Sequence, residues 1–127
     1  MIVGVGSDLV EFARISEVLA RQGEHFVHRV LGEQERLVFD ALPERSRVAY
    51  LAKRFGAKEA IGKALGTGVA WPATLHQVQV LNRPSGQPYL SPGDGLSDFL
   101  QQKGWVVHVS LSDTREHALA FSVVEQK

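Results

Sequence analysis

The chain has 127 residues, of which 44% are hydrophobic and 22% are charged, and its formal net charge is zero. These values are ordinary for a soluble protein, and we expect residues 1–127 to form a single domain. A zero net charge argues against nucleic-acid binding through bulk electrostatics. Without cysteine, neither disulfides nor thiolate metal sites are available. The chain shows no basic leader and no membrane-length apolar run, so we expect a cytoplasmic protein that does not enter a membrane.

The first part of the chain combines a strand pattern with helical patterns. Ile2 to Gly6 is predicted to form a short strand. Asp8 then begins a helical pattern that ends at Gly23, and the spacing of Asp8 and Glu11 resembles a capping box. A second, shorter helix is predicted within Phe26 to Leu42.

The second part contains the longest helix and four strands. The helix is predicted from Pro43, in its first turn, to about Leu65, and the glycines of "GTG" end it. Two strands around the turn "PSG" and a short helix over Leu96 to Lys103 follow. Strands are then predicted in "WVVHVSLS" and "ALAFSVVE", separated by the turn "DTREH". Hairpins without regular strand–helix alternation predict an α+β fold, with a mainly antiparallel sheet packed with the long helix.

Glu59 falls on the apolar face of the long helix at about 100° per residue. That face comprises Val48, Leu51, Ala52, Phe55, Glu59 and Gly62. A buried carboxylate needs a partner or stays protonated. Lys63, four residues later, offers an ion pair. Alternatively, Glu59 binds a hard metal such as magnesium together with substrate phosphates, with Gly62 leaving room and Lys63 serving a phosphate.

Asp8 is the best candidate for a second metal-binding carboxylate. It follows "GVGS", in which Gly4 and Gly6 permit close approach of the backbone. The alternative role for Asp8 is the helix cap described above. The "GTG" turn presents backbone N–H groups that suit a phosphate. The alternative there is a simple C-cap, because the C-terminus of a helix disfavours anions.

A basic run accompanies these residues between Arg45 and Lys63. Its basic members are Arg45, Arg47, Lys53, Arg54, Lys58 and Lys63. Glu59 is the only acid in this run, which indicates either an anionic ligand or a solvated helix face.

Two segments, "GVGSDLVEFARI" and "RFGAKEAIGKALGTG", resemble the two signature motifs of the small bacterial holo-[acyl-carrier-protein] synthases, a family of 4′-phosphopantetheinyl transferases. The chain departs from the family pattern at Val5 and Gly56, which leaves the charged positions unchanged. "SGQPYL" and "HVSLSD" also fit later strands of the family, so the resemblance covers nearly the whole chain.

The resemblance implies the 4′-phosphopantetheinyl transferase fold. It also implies transfer of the phosphopantetheine arm of coenzyme A to a serine of apo acyl carrier protein, in support of fatty acid biosynthesis. The products are holo carrier protein and adenosine 3′,5′-bisphosphate. Family members bind magnesium, with manganese as an alternative, through the carboxylates that correspond to Asp8 and Glu59. They are typically homotrimers, with each active site between two subunits. The resemblance is taken to imply that one subunit supplies Asp8 and the other supplies Glu59, in either order.

The resemblance extends to further site residues. Lys63 corresponds to a family lysine near the phosphates. Asp113 stands where some members have a histidine suited to be the general base, and a metal-bound water is the alternative proton relay. Arg54 and His108 are expected at the 3′-phosphate or adenylate end of coenzyme A, with Ser110 on the same strand face as His108. Backbone donors nearby are expected from Gly66, Thr67 and Gly68.

The first helix is the expected dock for the acidic carrier protein. Arg14 and Arg21 are seven residues apart and therefore share a helix face, and Arg29 follows them. Their positive charge favours fast association with an acidic partner. Glu17 lies between them, so an ordinary mixed surface is the alternative.

Two other classes of function stay open. A different magnesium-dependent nucleotide enzyme, such as a small phosphatase or nucleotidyl transferase, would use the same Asp8, Glu59 and Lys63 without binding a carrier protein. A non-catalytic basic binding module is supported only by the basic run, and it predicts that Glu59→Gln leaves ligand binding intact.

Overall fold

The computed structural model describes all residues from Met1 to Lys127. Its elements in chain order are β1 (Ile2–Glu11), α1 (Phe12–Gln22), α2 (Glu24–Val30), α3 (Glu33–Ala41), α4 (Glu44–Leu65), β2 (Val78–Asn82), β3 (Pro88–Pro92), α5 (Asp94–Lys103), β4 (Trp105–Asp113) and β5 (His117–Gln126). An antiparallel sheet has the strand order β1-β5-β4, and β2 and β3 form a separate antiparallel hairpin. The predicted α+β class is confirmed. None of the helices combines the length and apolar composition needed to cross a membrane.

Strand β1 continues to Glu11 instead of ending at Gly6. Asp8 pairs with Ala120 of β5 in the middle of the strand, and α1 begins only at Phe12, without a side-chain cap from Glu11. The predicted helix start and capping box at Asp8 are therefore wrong. Pairing with β5 along the whole of β1 outweighs the local helical pattern, because tertiary contacts override weak intrinsic propensities.

The helix predicted within Phe26 to Leu42 is two helices, α2 and α3, separated at Leu31 and Gly32. The amide oxygen of Gln79, on β2, accepts hydrogen bonds from the first N–H groups of α3, at 2.9 Å from Gln34 and 3.4 Å from Glu35. A strand side chain thus caps a helix that has only a glycine at its N-cap position.

A fully buried ion pair connects α3, α4 and β2. Lys58 Nζ donates to Glu35 Oε1 at 2.7 Å, to Leu75 O at 2.6 Å and to Val78 O at 2.7 Å. All three ammonium donors are therefore satisfied. Glu35 accepts further hydrogen bonds from backbone N–H groups of the same region. Lys58 is consequently part of the interior, and the basic surface predicted between Arg45 and Lys63 is smaller than the sequence indicated.

Helix α4 packs directly on the backbone of β1. A side chain at Gly4 or Gly6 would overlap the carbonyl oxygen of Ala64 or Ala60, respectively. The two glycines therefore permit the close approach that the sequence indicated, here between a strand and a helix. The helix ends as predicted, with Gly66 in the left-handed conformation at φ 82°.

The two faces of the β1-β5-β4 sheet have different environments. One face packs on α4 and includes Asp8. The other, which we call the open sheet face, carries Val5, Leu9, His108, Ser110, Leu119 and Phe121. Its four apolar members are between 45% and 64% exposed. Such an apolar patch is typical of a surface that another protein covers.

Candidate functional site

Five of the predicted site residues line one cleft of about 350 Å³. They are Asp8 from β1, Arg14 and Arg21 from α1, Arg29 from α2, and Glu59 from α4. The continuation of β1 as a strand directs Asp8 toward α4 and therefore toward Glu59. The structure thus brings together, within one chain, the two predicted metal ligands and the three predicted carrier-binding arginines. The expectation that Asp8 and Glu59 come from different subunits is therefore wrong, because β1 packs on α4 of its own chain.

The two carboxylates of the cleft are poorly compensated. Burial raises the pKa of Asp8, and the positive charges of Lys63 and Arg14 oppose that shift. Burial also raises the pKa of Glu59, and the negative charge of Asp8 raises it further. Ionisation of each carboxylate therefore costs free energy, and a bound cation would offset that cost.

Lys63 lies closer to Asp8 than to Glu59. Its ammonium group is 3.7 Å from Asp8 Oδ1 and donates to Ser7 O at 2.9 Å, and it forms no ion pair with Glu59. The Glu59–Lys63 pair considered from the sequence is therefore absent. Lys63 reaches instead toward β1, which crosses its helix at this level.

Gly62 does not leave open space beside Glu59, contrary to the sequence-based expectation. A Cβ atom at Gly62 would lie 2.7 Å from the carbonyl carbon of Gly68. A side chain does not fit at position 62, because the "GTG" turn folds back on α4 at this point. The Gly68 N–H donates to Gly62 O at 2.9 Å.

The "GTG" turn uses most of its backbone donors internally. Besides the Gly68 N–H, the Gly66 N–H donates to Lys63 O at 3.1 Å, as a helix C-cap. The Thr67 N–H has no partner within the chain. Of the three backbone donors expected to meet a phosphate, Thr67 is thus the one that the fold leaves free.

The donor set of Asp8 and Glu59 fits a hard divalent cation. Both ligands are carboxylates, and their mutual repulsion is relieved by a positive ion. No cluster of three or more His, Cys, Asp or Glu side chains suited to a metal is present. Magnesium in proteins takes one or two carboxylates and completes its shell with water and substrate phosphates.

Arg54 lies in a second, basic cavity of about 520 Å³ that also contains Arg45 and Lys53. Its side chain is 3% exposed, and its guanidinium lies over the ring of Tyr50 at 4.5 Å and donates to Asn82 Oδ1. Its Nε atom is buried without a hydrogen-bond partner. A fixed guanidinium among other cations is suited to bind an anion such as a phosphate.

The remaining predicted residues do not line the cleft of Asp8 within one chain. His108 and Ser110 lie on the open sheet face, where His108 Nε2 is 2.7 Å from Glu125 Oε1. Asp113 lies at the end of β4, two strands away from Asp8, and its carboxylate is 3.4 Å from Lys53 Nζ.

A profile of the 4′-phosphopantetheinyl transferase superfamily matches residues 4–122. The chain belongs to this superfamily. It is 48% identical to the holo-[acyl-carrier-protein] synthase of Azoarcus sp. strain BH72 over 100% of both chains. It is 44% identical to that of Burkholderia multivorans over 98% of this chain and 87% of the relative.

Solved structures of superfamily members have the same fold. The holo-[acyl-carrier-protein] synthase of Neisseria meningitidis superposes with a TM-score of 0.94 at 37% identity, covering 99% of this chain and 100% of that one. The Bacillus anthracis synthase in complex with CoA (3′,5′-ADP) superposes with a TM-score of 0.84 at 35% identity, covering 100% and 99%. The family and the fold that the two sequence motifs indicated are confirmed.

Sequence reasoning did not single out Tyr50, Asn82 or Glu35. Tyr50 and Asn82 hold Arg54, and Glu35 holds Lys58. The only available signal was that Arg54 and Lys58 have no acid three or four residues away on their own helix. Their partners lie on other elements, so local spacing does not reveal them.

Proposed function

We propose that the chain transfers the 4′-phosphopantetheine arm of coenzyme A to a serine of apo acyl carrier protein; its relatives carry the name holo-[acyl-carrier-protein] synthase. One observation carries the proposal: two half-buried carboxylates and three arginines line a single cleft. The arginines suit an acidic carrier protein, and the carboxylates suit a metal that accompanies phosphates. Within fatty acid biosynthesis, the product would be the active form of the carrier.

The reaction forms a bond between the serine oxygen and the β-phosphorus of coenzyme A. The bond from that phosphorus to the oxygen of the α-phosphate breaks, and adenosine 3′,5′-bisphosphate leaves with the electron pair. The serine proton passes to a base. Such transfers depend on positioning and on neutralising the phosphate oxygens. Lys63 carries the accessible cation beside Asp8 and is suited to that second task.

Asp8 and Glu59 would hold magnesium, with manganese as the alternative. When bound, the ion supplies positive charge to the pyrophosphate oxygens. Arg14, Arg21 and Arg29 orient the carrier protein over the same cleft, and the Thr67 N–H is a further donor beside α4. Each of these groups binds or orients a reactant, and none of them needs to change its protonation state.

The nucleotide end of coenzyme A would occupy the basic cavity around Arg54, where Arg45 and Lys53 add charge for the 3′-phosphate. His108 and Ser110 would contribute from the open sheet face. Asp113 would serve as the base from a neighbouring subunit, because its own chain holds it two strands away from Asp8.

A homotrimer, in the cytoplasm, is the assembly that we propose. The open sheet face supports it, since exposed Val5, Leu9, Leu119 and Phe121 give an apolar surface beside His108 and Ser110. Covering this face would remove apolar area from water and place those two polar residues between subunits.

Intact-mass spectrometry tests the proposed transfer. An apo acyl carrier protein is incubated with the protein and coenzyme A, with magnesium or with EDTA. We expect a magnesium-dependent gain of one phosphopantetheine group. No gain with several carrier proteins, from a folded sample with metal, would overturn the proposal. Turnover of a nucleotide without any carrier protein would then favour a nucleotide enzyme.

A further inference from the structure

A third cavity, of about 540 Å³, contains three of the five histidines of the chain. We call it the histidine pocket. It is lined by His25, His28, Arg29, Val69, Thr74, Leu75 and His76. One wall of the pocket comes from α2, and the other wall comes from the loop that follows the "GTG" turn. The proposed transfer chemistry uses none of its histidines.

Arg29 connects the histidine pocket with the cleft of Asp8 and Glu59, because it lines both cavities. Its guanidinium lies over the ring of Phe26 at 5.8 Å, and Phe26 also lines the cleft. A partner that contacts Arg29 from the cleft is therefore next to the histidine pocket.

Two of the three histidines, His28 and His76, contact each other across the pocket. His28 and His76 meet edge to face, with ring centroids 5.6 Å apart. His76 Nε2 is 2.7 Å from the carbonyl oxygen of His28, so this nitrogen must donate. A second proton on Nδ1 of His76 preserves that hydrogen bond. The carbonyl belongs to the last turn of α2, where the helix dipole favours a cation.

Few acidic groups face the pocket. Glu24 of α2 is bound by the guanidinium of Arg36. Glu33 and Arg36 of α3 line the adjoining groove with His28 and His76. Within the pocket, Arg29 is the permanent cation. Protonation of the imidazoles would therefore add positive charge beside Arg29, and Glu33 is the one acid nearby without an ion-pair partner.

We propose that the histidine pocket extends the dock of the acidic carrier protein beyond Arg29 and binds its carboxylates more tightly as the imidazoles become protonated. This inference rests on the proposed function. Imidazole is the side chain that changes charge between about pH 5 and pH 8. Carboxylates of the partner stay ionised over most of that range. For a few exposed charge pairs, we expect affinity to be about threefold to tenfold higher at about pH 6 than at about pH 8.

Binding of fluorescently labelled apo acyl carrier protein, followed by anisotropy in EDTA without coenzyme A, tests this inference. The test variant combines His25→Gln, His28→Gln and His76→Gln, and the matched control is His117→Gln, at the start of β5. The wild type and the control should show the stronger binding at lower pH. The triple variant should bind about equally at both pH values, with unchanged circular dichroism.

An equal pH dependence in the triple variant and the wild type would overturn the inference, as would wild-type affinity that does not change with pH. The transfer assay separates the two proposals. If phosphopantetheine is transferred but the triple variant shows the same pH dependence of binding as the wild type, only the pocket assignment fails. If no carrier protein is modified, the proposed function fails first.

Discussion

Lys63 binds Asp8, on a different element, rather than Glu59, which precedes it by one turn of the same helix. The distance from Lys63 Nζ to Asp8 Oδ1 is 3.7 Å, and the Lys63 side chain is 54% exposed. In the metal-free protein, the ammonium group therefore compensates part of the charge that Asp8 would offer to a cation. Glu59 forms no ion pair: burial and then the negative charge of Asp8 raise its pKa, and the charge of Lys63 opposes that shift only in part.

Lys63→Met should tighten metal binding in the absence of coenzyme A. The substitution keeps the aliphatic stem but removes the positive charge beside Asp8, so a divalent cation meets less repulsion. We expect about a threefold to tenfold lower dissociation constant for Mn²⁺, measured by electron paramagnetic resonance titration. Transfer activity should fall at least about 100-fold, because the charge near the phosphates is lost. Equal or weaker Mn²⁺ binding would show that Lys63 does not compensate Asp8.

Glu59→Gln should abolish transfer and yet stabilise the metal-free protein at neutral pH. Burial and Asp8 raise the folded-state pKa of Glu59 above its unfolded value. Ionisation of Glu59 therefore disfavours the folded state, and this cost grows as pH rises from about 4.5 through the raised folded pKa. Thermal unfolding in EDTA should show a higher midpoint for the variant at about pH 8. The difference should vanish near pH 4, where both forms are neutral.

The matched control for this pH series is Glu116→Gln, an exposed glutamate in the turn before β5. It should leave both transfer and the thermal midpoint close to the wild type at every pH. A Glu59→Gln variant that is less stable than the wild type at about pH 8 would contradict the sign of the predicted effect.

Gln79→Ala should destabilise the protein by about 1–2 kcal/mol, because two N–H groups at the start of α3 lose their acceptor. Urea denaturation measures the change in the free energy of unfolding. Gln101→Ala, at an exposed position of α5, is the control and should change stability by less than about 0.5 kcal/mol. An equal loss in both variants would exclude the capping role of Gln79.

Phe121→Glu should dissociate the proposed trimer, because it places a charge in the centre of the open sheet face. Sedimentation velocity should then show a monomer. Transfer activity should also fall if the active site lies between subunits. Leu37→Glu is the control, since Leu37 is 69% exposed on α3, away from this face. A wild type that sediments as a monomer at working concentration would remove the trimer from the proposal.

The sequence by itself determined the family, the fold class and most of the elements. Two charged motifs at family spacing identified the superfamily, and strong local signals located α4, the β2–β3 hairpin and β4. These features depend on local chemistry, such as the left-handed glycine at the end of α4 or the alternation along β4. The same motifs indicated Asp8 and Glu59 as the candidate metal ligands.

Only the tertiary structure decided the environment of the charged residues. Asp8 lies in a strand because β5 pairs with it, Lys63 turns to Asp8 because β1 crosses α4, and Lys58 is buried because Glu35 faces it across 23 positions of sequence. Each outcome depends on a partner that is distant along the chain. Charge compensation acts through space, so the spacing of residues along one helix predicted candidate partners but did not select among them.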